Sequence, residues 1–329
     1  MFALIDTTRW HWAGFILCVL IFLALDLGVF HRHARAVKFS EALGWSVLWF
    51  GLAMAFGFVL APAAVENWGR KETMEFTTGY VVELSLSMDN VFVIALIFAY
   101  FRVPRRLQHR VLFWGIVGAL VMRGGMIAGG AALVRQFQWT LYLFGAFLLI
   151  TGVKMLVTRS EGVHPERNLV IRLARRLYPV SHEFEGQRFT TSLHGRRALT
   201  PLALVLLTVE TTDLVFAVDS VPAVFAVTTT PFIVFTSNVC AILGLRSLYF
   251  VLAGAFEYFR YLKTGLSLVL AFIGVKMLLD PHDHAPQWFQ LKIAIGLSLL
   301  VVVAIIFVSI GLSVAAAWRE KSAAARKRN

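Results

Sequence analysis

The apolar residues of this chain come in blocks of about 20 with few polar interruptions, the length a helix needs to cross a hydrocarbon core about 30 Å thick. Nine such windows can be read, at approximately residues 12–30, 42–61, 77–101, 110–134, 138–157, 200–227, 231–256, 262–279 and 289–317. The composition excludes a soluble fold: of 329 residues, 58% are hydrophobic and 15% charged, too few polar groups to cover compact domains. The chain is therefore expected to be an all-α polytopic membrane protein with about nine transmembrane helices. The first window ends in His31-Arg32-His33 without a small-residue cleavage site, so it reads as a retained helix. Cys18 and Cys240, the only cysteines, fall inside apolar windows, which leaves neither a disulfide framework nor thiolate metal chemistry.

A net charge of +12 would point to nucleic acid in a soluble protein, but here the basic residues sit between apolar windows, where they set orientation. With the start of the first window outside, 22 of the 31 Lys and Arg fall in inward segments and five in outward ones. The other four, Arg123, Lys154, Arg246 and Lys276, lie within windows. An outside N-terminus and a cytoplasmic C-terminus follow; the expected partner is the lipid bilayer and not nucleic acid. The chain then divides into two N-terminal helices (1–76), a three-helix unit (77–157), an Arg-rich cytoplasmic loop (158–199), a second three-helix unit (200–279) and a last helix with a basic tail (280–329). Within the loop, Arg172, Arg175 and Arg176 interleave with Leu169, Ile171, Leu173 and Leu177. That pattern fits either an amphipathic helix on the inner leaflet or a solvated connector.

The two three-helix units resemble each other. Gly152-Val153-Lys154-Met155-Leu156 recurs unchanged as Gly274-Val275-Lys276-Met277-Leu278. Arg123 and Arg246 precede those lysines by 31 and 30 residues, and Asp89-Asn90-Val91-Phe92 aligns with Asp213-Leu214-Val215-Phe216 at 34 and 33 residues before the arginines. The loop charges give the units opposite orientation, so an inverted three-plus-three helix repeat is expected, with Asp89 and Asp213 near the bilayer midplane where such repeats hold their substrates.

An ionisable group at the bilayer centre costs at least about 2.5–3.5 kcal/mol, and it marks an ion pathway by default. Five acids fall in two windows: Glu83 and Asp89 in the third, Glu210, Asp213 and Asp219 in the sixth, with Asn90, Thr211, Thr212 and Ser220 beside them. At about 100° per residue, Asn90 lies nearly above Glu83, Glu210 and Asp213 share a face, and Asp219 points away from Glu210. Pro222 is expected to break or kink the sixth helix, and local unwinding there is what would turn Asp219 inward; whether Asp219 joins the site stays open. Oxygen donors without Cys or His suit a hard divalent cation such as Mn²⁺, Mg²⁺ or Ca²⁺, so the candidate metal residues are Glu83, Asp89, Asn90, Glu210, Asp213 and Asp219. Thr211, Ser220, Arg123 and Arg246 are candidate supporting groups; Lys154 and Lys276 are near window ends, within snorkelling reach of the surface, so the two arginines are the ones placed to neutralise deep carboxylates. Asp26 and Glu257 lie at window ends within reach of the headgroups, and Asp280-Pro281-His282-Asp283-His284 reads as a solvated turn with a weak metal-binding composition.

Longer strings carry a family resemblance: Glu83-Leu84-Ser85-Leu86-Ser87-Met88-Asp89-Asn90-Val91-Phe92-Val93, Phe144-Gly145-Ala146-Phe147-Leu148-Leu149, the stretch Phe216 to Thr228, and Thr236-Ser237-Asn238 through Arg246. In these the chain resembles the TerC family of bacterial integral membrane proteins. The resemblance implies a multi-pass protein of the bacterial inner membrane that exports Mn²⁺ from the cytoplasm, in a family linked to tellurite resistance and the response to alkaline pH. No P-loop is present and no bound organic cofactor is expected, so the function expected is secondary transport by rocking of the two units, with proton exchange a natural drive. Two alternatives stand beside it. One is a membrane partner that assists insertion or metalation of other proteins through the 158–199 loop; the other is an intramembrane aspartyl enzyme using Asp89 and Asp213.

Overall fold

The computed structural model describes residues 7–25, 39–157, 168–181, 183–193, 195–253, 261–280, 291 and 293–328, without the side chains of 320–328. Asp26, Glu257, His282 and His284 fall outside the described residues. The architecture is all-α and polytopic: eight helices among the described residues are long and apolar enough to cross a membrane, with a shorter apolar helix before them.

That shorter helix is α1 (Arg9–Leu25), and α2 (Phe39–Ala55) runs through a π turn at Phe56–Leu60 into α3 (Ala61–Ala64). The first unit is α4 (Arg70–Tyr100), α5 (Arg105–Gln136) and α6 (Thr140–Val157). A surface helix, α7 (Leu169–Leu177), and a hairpin of β1 (Thr190–Leu193) and β2 (Arg196–Leu199) lead to the second unit. That unit is α8 (Pro201–Phe225), α9 (Pro231–Ala253) and α10 (Leu262–Leu279); α11 (Ile295–Arg328) ends the chain. Local chemistry sets the starts. Glu72 Oε2 accepts from Gly69 N at 2.9 Å before α4, and Pro104, Pro201 and Pro231 occupy first-turn or preceding positions where no backbone donor is needed.

The packing between units is reciprocal. The first helix of each unit packs on the second of the other, α4 with α9 and α8 with α5, and the third helices pack on each other. In that last pair the repeated glycines let backbones touch: a Cβ on Gly274 would lie 2.6 Å from Leu149 N, and one on Gly152 2.7 Å from Ala271 N. The pentapeptide recurs because each copy supplies one bare position to this crossing. The opposed orientation of the units rests on the loop charges.

Two expectations are corrected here. Helix α8 is unbroken through Pro222, which sits in its last turns among buried Val221, Ala223, Val224 and Phe225. A proline there removes only one backbone bond, and the packing keeps the helical path. Lys276 does not snorkel: it is buried, with Nζ donating to the Ala226 carbonyl at 3.4 Å, whereas its counterpart Lys154 is exposed.

Candidate functional site

The centre of the bundle is organised by one arginine. Helix α5 delivers Arg123, almost wholly buried, between the two units. Its Nη1 donates to Glu83 Oε1 of α4, to Ser220 Oγ of α8 at 3.1 Å and to Asn238 Oδ1 of α9 at 3.4 Å. Its Nη2 and Nε donate to the two carboxylate oxygens of Asp213 at 3.1 and 3.4 Å. One guanidinium thus bridges a carboxylate from each unit in low dielectric, where an unpaired charge would be costly. Asn90 joins the cluster: with its amide oxygen toward Arg123 Nη2 (3.3 Å), its nitrogen meets the Leu86 carbonyl (3.3 Å). Ser87 Oγ donates to Glu83 Oε1 at 3.4 Å. The other oxygen, Glu83 Oε2, is buried and has no hydrogen-bond partner among the described residues.

Glu83, Asn90, Asp213, Ser220 and Arg123 therefore converge, whereas three candidates lie apart from them. Asp219 interacts with Thr151 of α6, and Asp89 interacts electrostatically with Lys263 at the start of α10. Arg246 is buried on α9 and is not among the partners of the Arg123 group. Glu210 is adjacent: it interacts with Asp213, and its carboxyl fills the space left by Gly118 on α5, where a Cβ would lie 2.0 Å from Oε1. Thr211 accepts from Asn168 Nδ2 at 2.6 Å, the residue capping α7. Asn238 was not singled out from the sequence. Its signal is the polar run Thr236-Ser237-Asn238 inside an apolar span, all three fully buried. Among the described residues, no group of three or more His, Cys, Asp and Glu is gathered to hold a metal by itself.

Neighbour pairs give the height of each group. Helices α6 and α10 have 18 residues each, about 27 Å and close to the hydrocarbon thickness. Glu75 interacts electrostatically with Lys276 near one end of α10 and Asp89 with Lys263 at the other, so Glu83, between them on α4, lies near the middle of the bundle. Asp213 precedes Asp219, the partner of Thr151, by six residues, about 9 Å toward the end where α6 stops. Asp89 and Asp213 thus lie on the α7 side of Glu83 along their helices.

The acids descend from Glu83 through Asp213 to Glu210, toward the α7 end. In the other direction the bundle is closed. A Cβ on Gly79 would lie 2.9 Å from Ser237 Oγ and 3.2 Å from Val224 Cγ1, and Val82, Val221, Val224, Phe225 and Val234 form the core there. Beyond that seal, Glu75 accepts from Thr228 Oγ1 at 2.6 Å and pairs with Lys71 Nζ at 3.5 Å. A separate apolar cavity of about 420 Å³ lies among α1, α2 and α9, with Cys18 and Cys240 both in its wall.

Comparison with known proteins now has a geometry to meet. The model of the integral membrane protein TerC family matches residues 68–316, from just before α4 into α11. An uncharacterized membrane protein of Myxococcus xanthus, STKORF319, is 52% identical over 286 residues, covering 87% of this chain and 88% of that one. The candidate membrane-bound redox modulator Alx is 44% identical in Salmonella typhi (87% and 90% covered) and 46% identical in Photorhabdus laumondii (84% and 88%). No solved structure matches the chain. With the family model spanning both three-helix units and the Arg123 cluster between them, the chain belongs to the TerC family of integral membrane proteins.

Proposed function

We propose that this protein is a secondary transporter that exports divalent cations, Mn²⁺ foremost, from the cytoplasm across the inner membrane. The observation that carries the reading is Glu83 Oε2: a buried carboxylate oxygen at mid-height without a partner, beside a guanidinium shared with Asp213 of the other unit. Arg123 occupies the place of a cation and is tethered there. An arriving divalent ion would take over Glu83 and Asp213, with Asn90, Ser220 and Asn238 as further oxygen donors, and so release the arginine. This donor set is hard and mixed, which suits Mn²⁺, Mg²⁺ and Ca²⁺ over softer metals. With the cytoplasmic side assigned by the loop charges, Glu210 and Asp213 line the approach from the cytoplasm, as an exporter requires. The excess of acids over Arg123 leaves room for protons to return in exchange. An aspartyl enzyme fits less well, because Asp89 interacts with Lys263 and Asp213 is held by Arg123, so the two do not share a proton.

The test is intracellular manganese, measured by elemental analysis in manganese-loaded cells. Wild type is expected to lower it, and Asp213→Asn and Glu83→Gln, at matched membrane levels, to lose that effect. Export at wild-type levels by both variants would make the cluster structural and refute the reading. Proton exchange is tested in proteoliposomes, where flux should follow an imposed pH gradient.

A second reading starts from the relatives named as redox modulators. Its bearer here would be Cys18 and Cys240, which face one cavity. Cells carrying the Cys18→Ser, Cys240→Ser variant separate the two: metal export retained with a redox phenotype lost gives the thiols a role of their own.

A further inference from the structure

Helix α7 has two faces. Leu169, Val170, Leu173 and Leu177 are exposed and occupy one arc of the helix, while Arg172, Arg175 and Arg176, also exposed, occupy the arc beside it, with Arg176 next to Leu169. Ile171, between them, is buried and seats the helix against α8. An exposed leucine stripe of this kind on a protein surface needs a cover.

The position of α7 says what the cover is. Asn168, at its N-cap, donates to Thr211 of α8 at 2.6 Å and accepts from Val170 N at 2.9 Å. Thr211 precedes Asp219 by eight residues, and Val157, the end of α6, follows Thr151 by six. Those distances, about 12 and 9 Å along paired helices, put α7 at the height where α6 leaves the hydrocarbon. Just above that height the outer faces of α8 and α6 are apolar and exposed: Leu214, Val215 and Val218 on one, Val153, Leu156 and Val157 on the other. The leucine stripe of α7 thus lies at the level where this exposed apolar surface ends, with its arginines beside it.

We infer that α7 is an interfacial helix that docks on the bilayer surface through anionic phospholipids, its leucines among the acyl chains and Arg172, Arg175 and Arg176 on the lipid phosphates. Each arginine near an anionic surface strengthens attachment about fivefold, so the three together contribute on the order of a hundredfold. The docking has a consequence for the neighbouring site. Asn168 ties α7 to the residue next to Glu210, so lipid engagement bears on the mouth of the acid-lined approach.

The experiment uses the full chain in a Cys18→Ala, Cys240→Ala background with a spin label at Leu173→Cys, reconstituted in phosphatidylcholine vesicles with or without phosphatidylglycerol. In the presence of phosphatidylglycerol the label is expected to be accessible to oxygen and shielded from a water-soluble nickel chelate. Arg172→Gln, Arg175→Gln and Arg176→Gln together should return it to water. A label open to the chelate in both lipid mixtures overturns the proposal, as does a label shielded in both and indifferent to the arginine changes. Label depth does not depend on the transport reading, so the two can fail separately. If that reading holds, Mn²⁺ flux should rise with phosphatidylglycerol in wild type and cease to follow it in Asn168→Ala, whose label stays shielded.

Discussion

The sharpest test of the site is removal of its guanidinium. In Arg123→Met a side chain of similar reach remains, but Glu83 and Asp213 lose their counter-charge, and Ser220 and Asn238 lose a donor. Breaking a buried ion pair from one side costs about 3–5 kcal/mol, since the charge left behind is desolvated and alone. For a chain of this size that is a fall of about 4–7 °C in apparent melting temperature. Glu83→Gln in the same chain should recover part of the loss, because a neutral amide needs no counter-charge. The double variant is therefore expected to be less damaged than the sum of the two single changes. The same vacancy should favour a cation: Mn²⁺ at about 100 times its dissociation constant stabilises a bound state by about 2.7 kcal/mol, and it has no arginine to displace in Arg123→Met. The assay is thermal unfolding in detergent with and without Mn²⁺, on wild type and the three variants. A wild-type melting temperature for Arg123→Met, or equal Mn²⁺ stabilisation of wild type and variant, would refute the reasoning.

Two glycine substitutions separate packing from chemistry. Gly274→Ala places a Cβ against the backbone of α6, which cannot yield cheaply, and a loss of about 1–3 kcal/mol in thermal unfolding is expected; Gly296→Ala, facing only the tip of Met74, should behave as wild type. Gly118→Ala instead meets the end of a flexible side chain, so Glu210 is expected to swing out of its niche. Cell manganese should rise toward that of non-expressing cells while the melting temperature holds, and unchanged export would remove Glu210 from the approach.

Much of this was legible in the sequence because a bilayer imposes simple rules. An apolar window marked each of the membrane-crossing helices, the one at 262–279 matching α10 at both ends, while α4 starts seven residues before its window and α11 runs eleven past its own. Charges in apolar segments marked Glu83, Asp213 and Arg123, since such groups persist only with partners. What escaped was set by packing between helices. Asn238 carries no charge, and only its neighbours in space give it a role. Pro222 follows the helical path because its surroundings are buried, and Asp219 consequently faces Thr151. The start of α4 is hidden from hydropathy because its first turns carry polar residues.

The glycine crossing of α6 and α10 bears on how any ion could cross. These helices belong to different units, yet they meet backbone to backbone. Rocking one whole unit against the other would pull this backbone contact apart. Under the proposed transport function they would form a fixed spine, with α4, α5, α8 and α9 as the part that shifts. On that division of labour Arg123 travels with the moving part, and the tie between Asp219 and Thr151 becomes a latch across the line of motion.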